Sequence, residues 1–329
     1  MYLPNRCIPN GFFISHISFS PLFRFVVSEG KGSETRIIYL PKSDGFLYLH
    51  PGEDGGVTGG FVSPNRSVSS EAMFKTTASI SNILVWEDEK DRAHLLTDKE
   101  LFTLLLKENG THRTELPADF IFSNPVSYND LSFINEKDGL LLLHPVDFQE
   151  TYVLAQNSAL PDFAELILPT ENGKKLWYAK SDGNGAYKGI GFFEYGSNTP
   201  LGNENFEFDS YQRIGNTAVL FTRILEDGGA LYVYRNLENG TTHSLVSDVV
   251  FQGVSTDPSG KVLCGGLPVG EGGKIQIFDL EKGTKKGEYA IDYGTPAKSL
   301  AISSDAKTLL IAVEKGKDEI LGTLDLTRF

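Results

Sequence analysis

The sequence predicts an all-β protein: a seven-bladed β-propeller of four-stranded antiparallel blades, closed by its N-terminal strand. Three observations carry this. The first is a repeated unit within Ser210–Phe329. There, Leu231–Val246 is two alternating runs joined through Asn239-Gly240, a strong hairpin signal. Ile275–Ile291 repeats the design, with Gly283 lying 43 residues beyond Gly240. The second is the spacing of candidate innermost strands, which begin near Phe12, Ser79, Asp119, Asp162, Phe206, Val249 and Ala297. After a first step of 67 residues the steps are 40, 43, 44, 43 and 48. Four strands of about six residues with connections of about four come to roughly 40 residues, one blade per step. The third is that the last unit stops after its third strand, Ile320–Leu326, while Tyr2–Ile8 precede the first unit without a partner. Ring closure through Tyr2–Ile8 satisfies both ends and removes an open sheet edge.

Turn chemistry recurs at matched places in these units. First turns are read at Pro21-Leu22, Glu171–Gly173, Gly215-Asn216, Asp257–Gly260 and Asp305–Lys307, residue types that accept αL or preset φ. Second strands follow at Phe23–Val27, Lys175–Ala179, Ala218–Thr222, Lys261–Leu263 and Thr308–Ala312, rich in β-branched and aromatic residues. Third hairpins are read at Ser43–Gly45, Asn109-Gly110, Gly196–Asn198, Asn239-Gly240 and Lys282-Gly283. Two stretches fit less simply. Gly52–Thr77 is an excess between the first and second blades: an ordered loop, an extra hairpin or a degenerate eighth blade. Thr97–Gly110 has helical spacing at Leu101, Leu104 and Leu105. Its Lys107–Thr111 resembles Leu237–Thr241, which favours strand.

Composition narrows the class. A chain of 329 residues buries roughly three quarters of its unfolded surface. The architecture makes residues 1–329 one propeller domain. The net charge of −13 argues against a nucleic-acid binder, which needs a basic footprint. No signal peptide and no bilayer-length apolar run is read, so a soluble monomer is expected, cytoplasmic, or secreted or periplasmic if a signal peptide has been removed. Cys7 and Cys264 are too few for a disulfide framework.

Ser255–Leu263 with Ile275–Leu280, and Ile302–Leu310, follow the cadence Ser-Asp-Gly-Lys, an apolar run, then Ile-x-Val-x-Asp-Leu. In this the chain resembles the WD40-like propeller repeats of the TolB and YVTN type, most clearly over Phe206–Phe329. It has no Trp-Asp dipeptide and no Gly-His pair. The resemblance implies a binding platform and carries no catalytic motif.

No catalytic residue, cofactor site or metal site is assigned. The histidines (His16, His50, His94, His112, His144 and His243) show no local ligand pair, and His16 alone lies where it could face a channel. A cytosolic lactonase-type hydrolase acting on a sugar-derived substrate is the alternative. Arg213 and Arg223 could serve it, and Asp209, Glu87 and Glu165 are carboxylates near inner strands. The connections between second and third strands hold twelve acidic residues against five lysines. That suits an acidic rim steering a protein partner, a basic one by charge complementarity. The expected function is therefore a non-enzymatic interaction scaffold, with Gly52–Thr77 as its preferred contact element.

Overall fold

A computed structural model describes residues 20–26, 35–52, 56–63, 72–123, 125–129, 131–137, 140–149, 151–156, 160–161, 163–171, 173–194, 201–267, 273–291, 297–315 and 318–329. Among these, 28 strands form seven four-stranded antiparallel sheets, with no α-helix. Strand β1 (Ser20–Val26) stands apart from its neighbours in sequence. Blade 1 holds β2 (Arg36–Leu40), β3 (Gly45–Pro51), β4 (Val57–Val62) and β5 (Phe74–Thr76). Blade 2 is β6 (Leu84–Glu87), β7 (Arg92–Leu96), β8 (Glu100–Leu105) and β9 (Gly110–Glu115). Blade 3 is β10 (Val126–Asn129), β11 (Ser132–Lys137), β12 (Leu140–Pro145) and β13 (Tyr152–Gln156). Blade 4 is β14 (Ala164–Thr170), β15 (Lys175–Ser181), β16 (Tyr187–Glu194) and β17 (Leu201–Phe208). Blade 5 is β18 (Ser210–Ile214), β19 (Ala218–Ile224), β20 (Ala230–Asn236) and β21 (Thr242–Ser247). Blade 6 is β22 (Gly253–Thr256), β23 (Val262–Gly266), β24 (Lys274–Asp279) and β25 (Thr284–Ala290). Blade 7 is β26 (Ala297–Ile302), β27 (Thr308–Lys315) and β28 (Asp318–Asp325), completed by β1.

The ring is closed by an N-terminal strand, as expected, but by Ser20–Val26; Tyr2–Ile8 and Phe12 lie outside the described residues. This moves the first blade downstream. Pro21-Leu22 is no turn, and Phe23–Val26 no second strand. Both lie in the outermost strand, where Pro21 needs no N–H for a further ladder and the register shifts just after it. Ser43–Gly45 turns between the first two strands of blade 1, with Asp44 at φ 44°. Gly52–Thr77 is no insert: it contains β4 and β5, half of blade 1.

Two smaller corrections follow from packing. The third inner strand starts at Val126, well after Asp119. Phe120 is drawn instead onto the rings of Phe133, His144 and Phe148, at 5.7–6.2 Å between centroids. Residues 100–105 are strand, and their helix-like spacing has a simple cause. Leu101, Phe102 and Leu104 are all buried because both faces of a blade are covered by its neighbours.

Seven apolar layers, one per blade junction, replace a central core. Trp177 and Phe221 fill the layer between blades 4 and 5, and Phe278 that between blades 5 and 6, as expected. Phe13 and Phe19 lie outside the described residues.

The turn joining the first two strands of a blade explains the sequence cadence. Asp257, fully buried, accepts from the Lys261 and Val262 amides at 2.8 and 2.6 Å and from the Ser259 amide at 3.0 Å. Asp305 does the same for Lys307 N–H at 3.0 Å. Gly260 has φ +73°, and a Cβ there would come 2.3 Å from the Tyr234 ring, so both conformation and space require glycine.

Candidate functional site

The seven inner strands surround a cavity of about 830 Å³ running along the ring's central channel. Side chains alternate along a strand, so Tyr211 and Arg213 of β18 face the same way. Arg36 opens β2, Glu165 is the second residue of β14, and both line the same channel. These strand starts lie at the end of the ring where the blade-to-blade and second-to-third-strand connections gather. We refer to that end as the loop face.

Two guanidiniums line the channel, Arg36 exposed to its solvent and Arg213 half-buried. Arg213 Nη2 donates to Ser127 Oγ at 2.9 Å, reaching from blade 5 to blade 3. Arg36 Nη1 donates to the Ile83 carbonyl at 2.9 Å. Neither meets a carboxylate among the described residues. Burial lowers the pKa of both; for Arg213, Tyr211 opposes this and the charge of Arg36 adds to it, leaving it at about 10. Arg213 therefore stays charged at neutral pH, and a guanidinium such as that of Arg36 does so as a class.

The carboxylates nearby are engaged elsewhere. Glu165 Oε2 accepts from Tyr187 Oη at 2.8 Å and from Tyr211 Oη at 3.3 Å. Asp209 accepts from the Ile224 amide at 2.6 Å. Glu87 accepts from the Lys42 and Ser43 amides at 2.7 and 3.0 Å, and burial pushes its pKa up against those bonds. Burial and Glu165 together raise Tyr187 to about 12 and raise Tyr211 as well. An acid whose folded pKa is raised contributes stability below its unfolded value, near 10, that is lost as pH rises through the folded one. An alkaline titration followed by tyrosinate absorbance should thus place Tyr187 and Tyr211 among the late-ionising tyrosines, with Tyr39, which burial also holds at about 12. Glu165→Gln should bring the Tyr187 and Tyr211 transitions down; unchanged transitions would refute the cluster.

Of the candidates read from sequence, Arg213, Glu165, Asp209 and Glu87 line the channel, and Arg223 does not. Arg223 lies on β19 with Nη2 3.6 Å from Glu207 Oε2, exposed to solvent. No described histidine reaches the channel; His16 is outside the described residues. His50 is buried with Thr35 and Glu319, His94 with Asp88 and Thr103, and His144 with Asn135 and Thr151. Cys264 is fully buried and its thiol pKa is pushed up by that burial, so it is poorly suited as a nucleophile. Cys7 lies outside the described residues. Among the described residues no three His, Cys, Asp or Glu converge on a metal-sized site. Arg36 and the Tyr187–Tyr211 pair were missed from sequence, because Arg36 falls in a stretch read as the far side of the first blade.

The loop face also carries exposed apolar groups. Phe163, 69% exposed, precedes β14 with φ 59°, a left-handed backbone rarely adopted by a bulky residue. Its ring lies over Gly183, where a Cβ would come 3.1 Å away. Ile121 and Ile224, about half exposed, stand on the same face of blades 3 and 5. Acidic connections surround them. Glu226 and Asp227 are exposed, Asp182 caps its own turn through the Asn184 amide at 2.8 Å, and Glu100 pairs with Arg113.

No protein-family model matches the chain, and no curated protein matches it by sequence. Solved structures do. The β-propeller domain of Cps50 (Swd1) from Myceliophteria thermophila superposes with a TM-score of 0.60 at 10% identity, covering 94% of this chain and 100% of that one. An oligogalacturonate lyase in complex with manganese gives 0.62 at 10% identity, covering 94% and 98%. The C-terminal WD40 domain of Sif2 gives 0.50 at 10%, covering 91% and 83%. At such identities the likeness is one of fold. The chain is a seven-bladed β-propeller, the fold it shares with those domains. None of its described helices is long and apolar enough to cross a membrane.

Proposed function

We propose that this propeller is a non-enzymatic protein-interaction platform that takes its partner on the loop face. Phe163 carries the reading. A large aromatic held exposed in a left-handed backbone is costly for folding alone, and such strain collects where a surface has a task. Phe163, Ile121 and Ile224 offer apolar anchors, and the acidic connections around them favour a basic partner through steering. On this reading residues 1–329 act as one propeller unit, monomeric and cytoplasmic, with no affinity for nucleic acid. The former contact element, Gly52–Thr77, is unsuited to a deletion test, since its removal takes two strands out of blade 1. A lactonase-type hydrolase is the weaker reading: arginines converge in the channel, without a described histidine beside them.

The test is capture from host extract on the immobilised protein, with the retained protein then purified and measured by calorimetry. Phe163→Ser should weaken its binding by about tenfold or more, as an interface anchor does, while melting close to the parent. Glu226→Lys with Asp227→Lys should slow association and flatten its salt dependence. Equal affinity of the parent and Phe163→Ser would overturn the reading.

A further inference from the structure

We propose that the central channel is a binding site for a metabolite-sized organic anion, whose phosphate or carboxylate group is held by Arg36 and Arg213. This site lies inside the channel whose mouth opens on the loop face, and it stands whether or not that face binds a protein.

The case rests on unmet charge. A guanidinium offers five N–H donors in a planar fork matched to an oxyanion. Each of these two spends a single bond on a neutral acceptor, Ile83 O or Ser127 Oγ, and has no carboxylate partner among the described residues. They line one cavity from blades 1 and 5, and Arg36 is near enough for its charge to act on Arg213. Two like charges on one channel wall, Arg213 half-buried and Arg36 facing the channel solvent, repel each other with most donors free for an oxyanion, and an anion that joins them relieves that repulsion.

The acids that share the wall do not serve as that counter-charge. Glu165 is occupied by two tyrosine hydroxyls, Asp209 by the Ile224 amide, and Glu87 by the Lys42 and Ser43 amides. A structural staple would read differently: an arginine kept for packing or ring closure ordinarily meets a carboxylate, as Arg235 meets Glu204 on the outside of this ring.

Size and lining identify the ligand class. A cavity of about 830 Å³ falls in the range of small-molecule sites. Ile38, Leu166 and Val254 supply apolar wall, and Gln212 and Ser255 supply polar groups for hydroxyls. The remaining acceptor capacity of Glu165, at the loop-face end, suits a hydroxyl on the ligand body. A free oxyanion group is the feature that Arg36 and Arg213 require.

Thermal melting and calorimetry with inorganic phosphate and with citrate, each against chloride at matched ionic strength, test this. The parent should melt higher with phosphate or citrate in a saturable way, and the better of the two names the head group. Arg36→Gln and Arg213→Gln should each weaken that binding by about tenfold or more, and the double variant should abolish it. Arg213→Lys, which keeps the charge without the fork, should retain part, and serves if the double variant fails to fold. The proposal is overturned if neither anion stabilises the parent beyond chloride. It is equally overturned if Arg36→Gln and Arg213→Gln bind the anion as the parent does.

Discussion

Removing residues 1–26 is expected to take away most of this protein's stability. The strand lost, β1, is the fourth strand of the last blade, paired from Ser20↔Thr323 to Val26↔Asp318. About half a dozen ladder hydrogen bonds at roughly 0.5–1.5 kcal/mol each amount to about 3–9 kcal/mol, against a usual total of about 5–15 kcal/mol. The loss also bares a buried polar cluster at the seam between blades 7 and 1. Glu319, paired in register with Phe25, is 2% exposed; it accepts from Thr35 Oγ1, and His50 Nδ1 lies 2.9 Å from it. Admitting water there loosens the contact that joins the two ends of the ring. β28 would become an open edge, a template for association between copies. Calorimetric melting should show a much lower, broadened transition and chromatography should show larger species. A synthetic peptide of residues 20–26 should restore part of the loss by adding the strand back. A truncated protein melting within a few degrees of the full chain would show that closure is not what holds the ring.

The seam is also where reading the sequence fell short, for a physical reason. Inner, second and third strands are buried on both faces and punctuated by Asp-, Asn- and Gly-bearing turns, so their repeat is written plainly in blades 4 to 7. A closing strand obeys a different rule. It is an edge, tolerates Pro21, and needs no turn to a neighbour in sequence, so Pro21-Leu22 read as a turn and pushed the first blade upstream. A signal that corrects this is present. Glu53-Asp-Gly-Gly56 and Glu226-Asp-Gly-Gly229 are identical and 173 residues apart, four repeats of about 43. The second lies between β19 and β20, so the first marks the connection between β3 and β4. Aligned on that tetrapeptide, the supposed insert becomes two strands.

Less of the candidate site was legible. Arg213 and Glu165 could be placed on inner strands from periodicity, but direction along a strand is one residue from reversal. Once Ser210–Ile214 is in register, Tyr211 and Arg213 must point alike, and the structure turns both to the channel. Arg36 could not join them while blade 1 was misplaced. Phe163 is harder still: its significance lies in a backbone angle and an exposure, and neither has a sequence signature. Local punctuation is enough to specify blades, whereas the channel is assembled from residues far apart in the chain, Arg36 and Arg213 among them at 177 positions.

Phe278→Ala is expected to lower the unfolding free energy by about 3–5 kcal/mol. Phe278 is on β24, the third strand of blade 6, and is 7% exposed in the layer facing blade 5. Its ring stands 5.9 Å from that of Phe251, which in turn stacks on Tyr232 of blade 5 at 5.1 Å. The void left by alanine has no simple way to collapse, because both walls are hydrogen-bonded sheets whose spacing is set by the ring as a whole. Phe251 cannot easily slide into it either. A side chain at Gly265 would come 2.3 Å from the Phe251 ring, which shows how closely that ring is already seated. Phe278→Leu, which keeps most of the volume, should recover most of the loss. Val246→Ala, at a position 69% exposed, should change stability by no more than about 0.5 kcal/mol. Urea unfolding reads all three as shifts in midpoint at constant slope. A loss below about 1 kcal/mol for Phe278→Ala would mean that the junction between blades 5 and 6 is not close-packed, and that the ring depends on its ladders rather than on its layers.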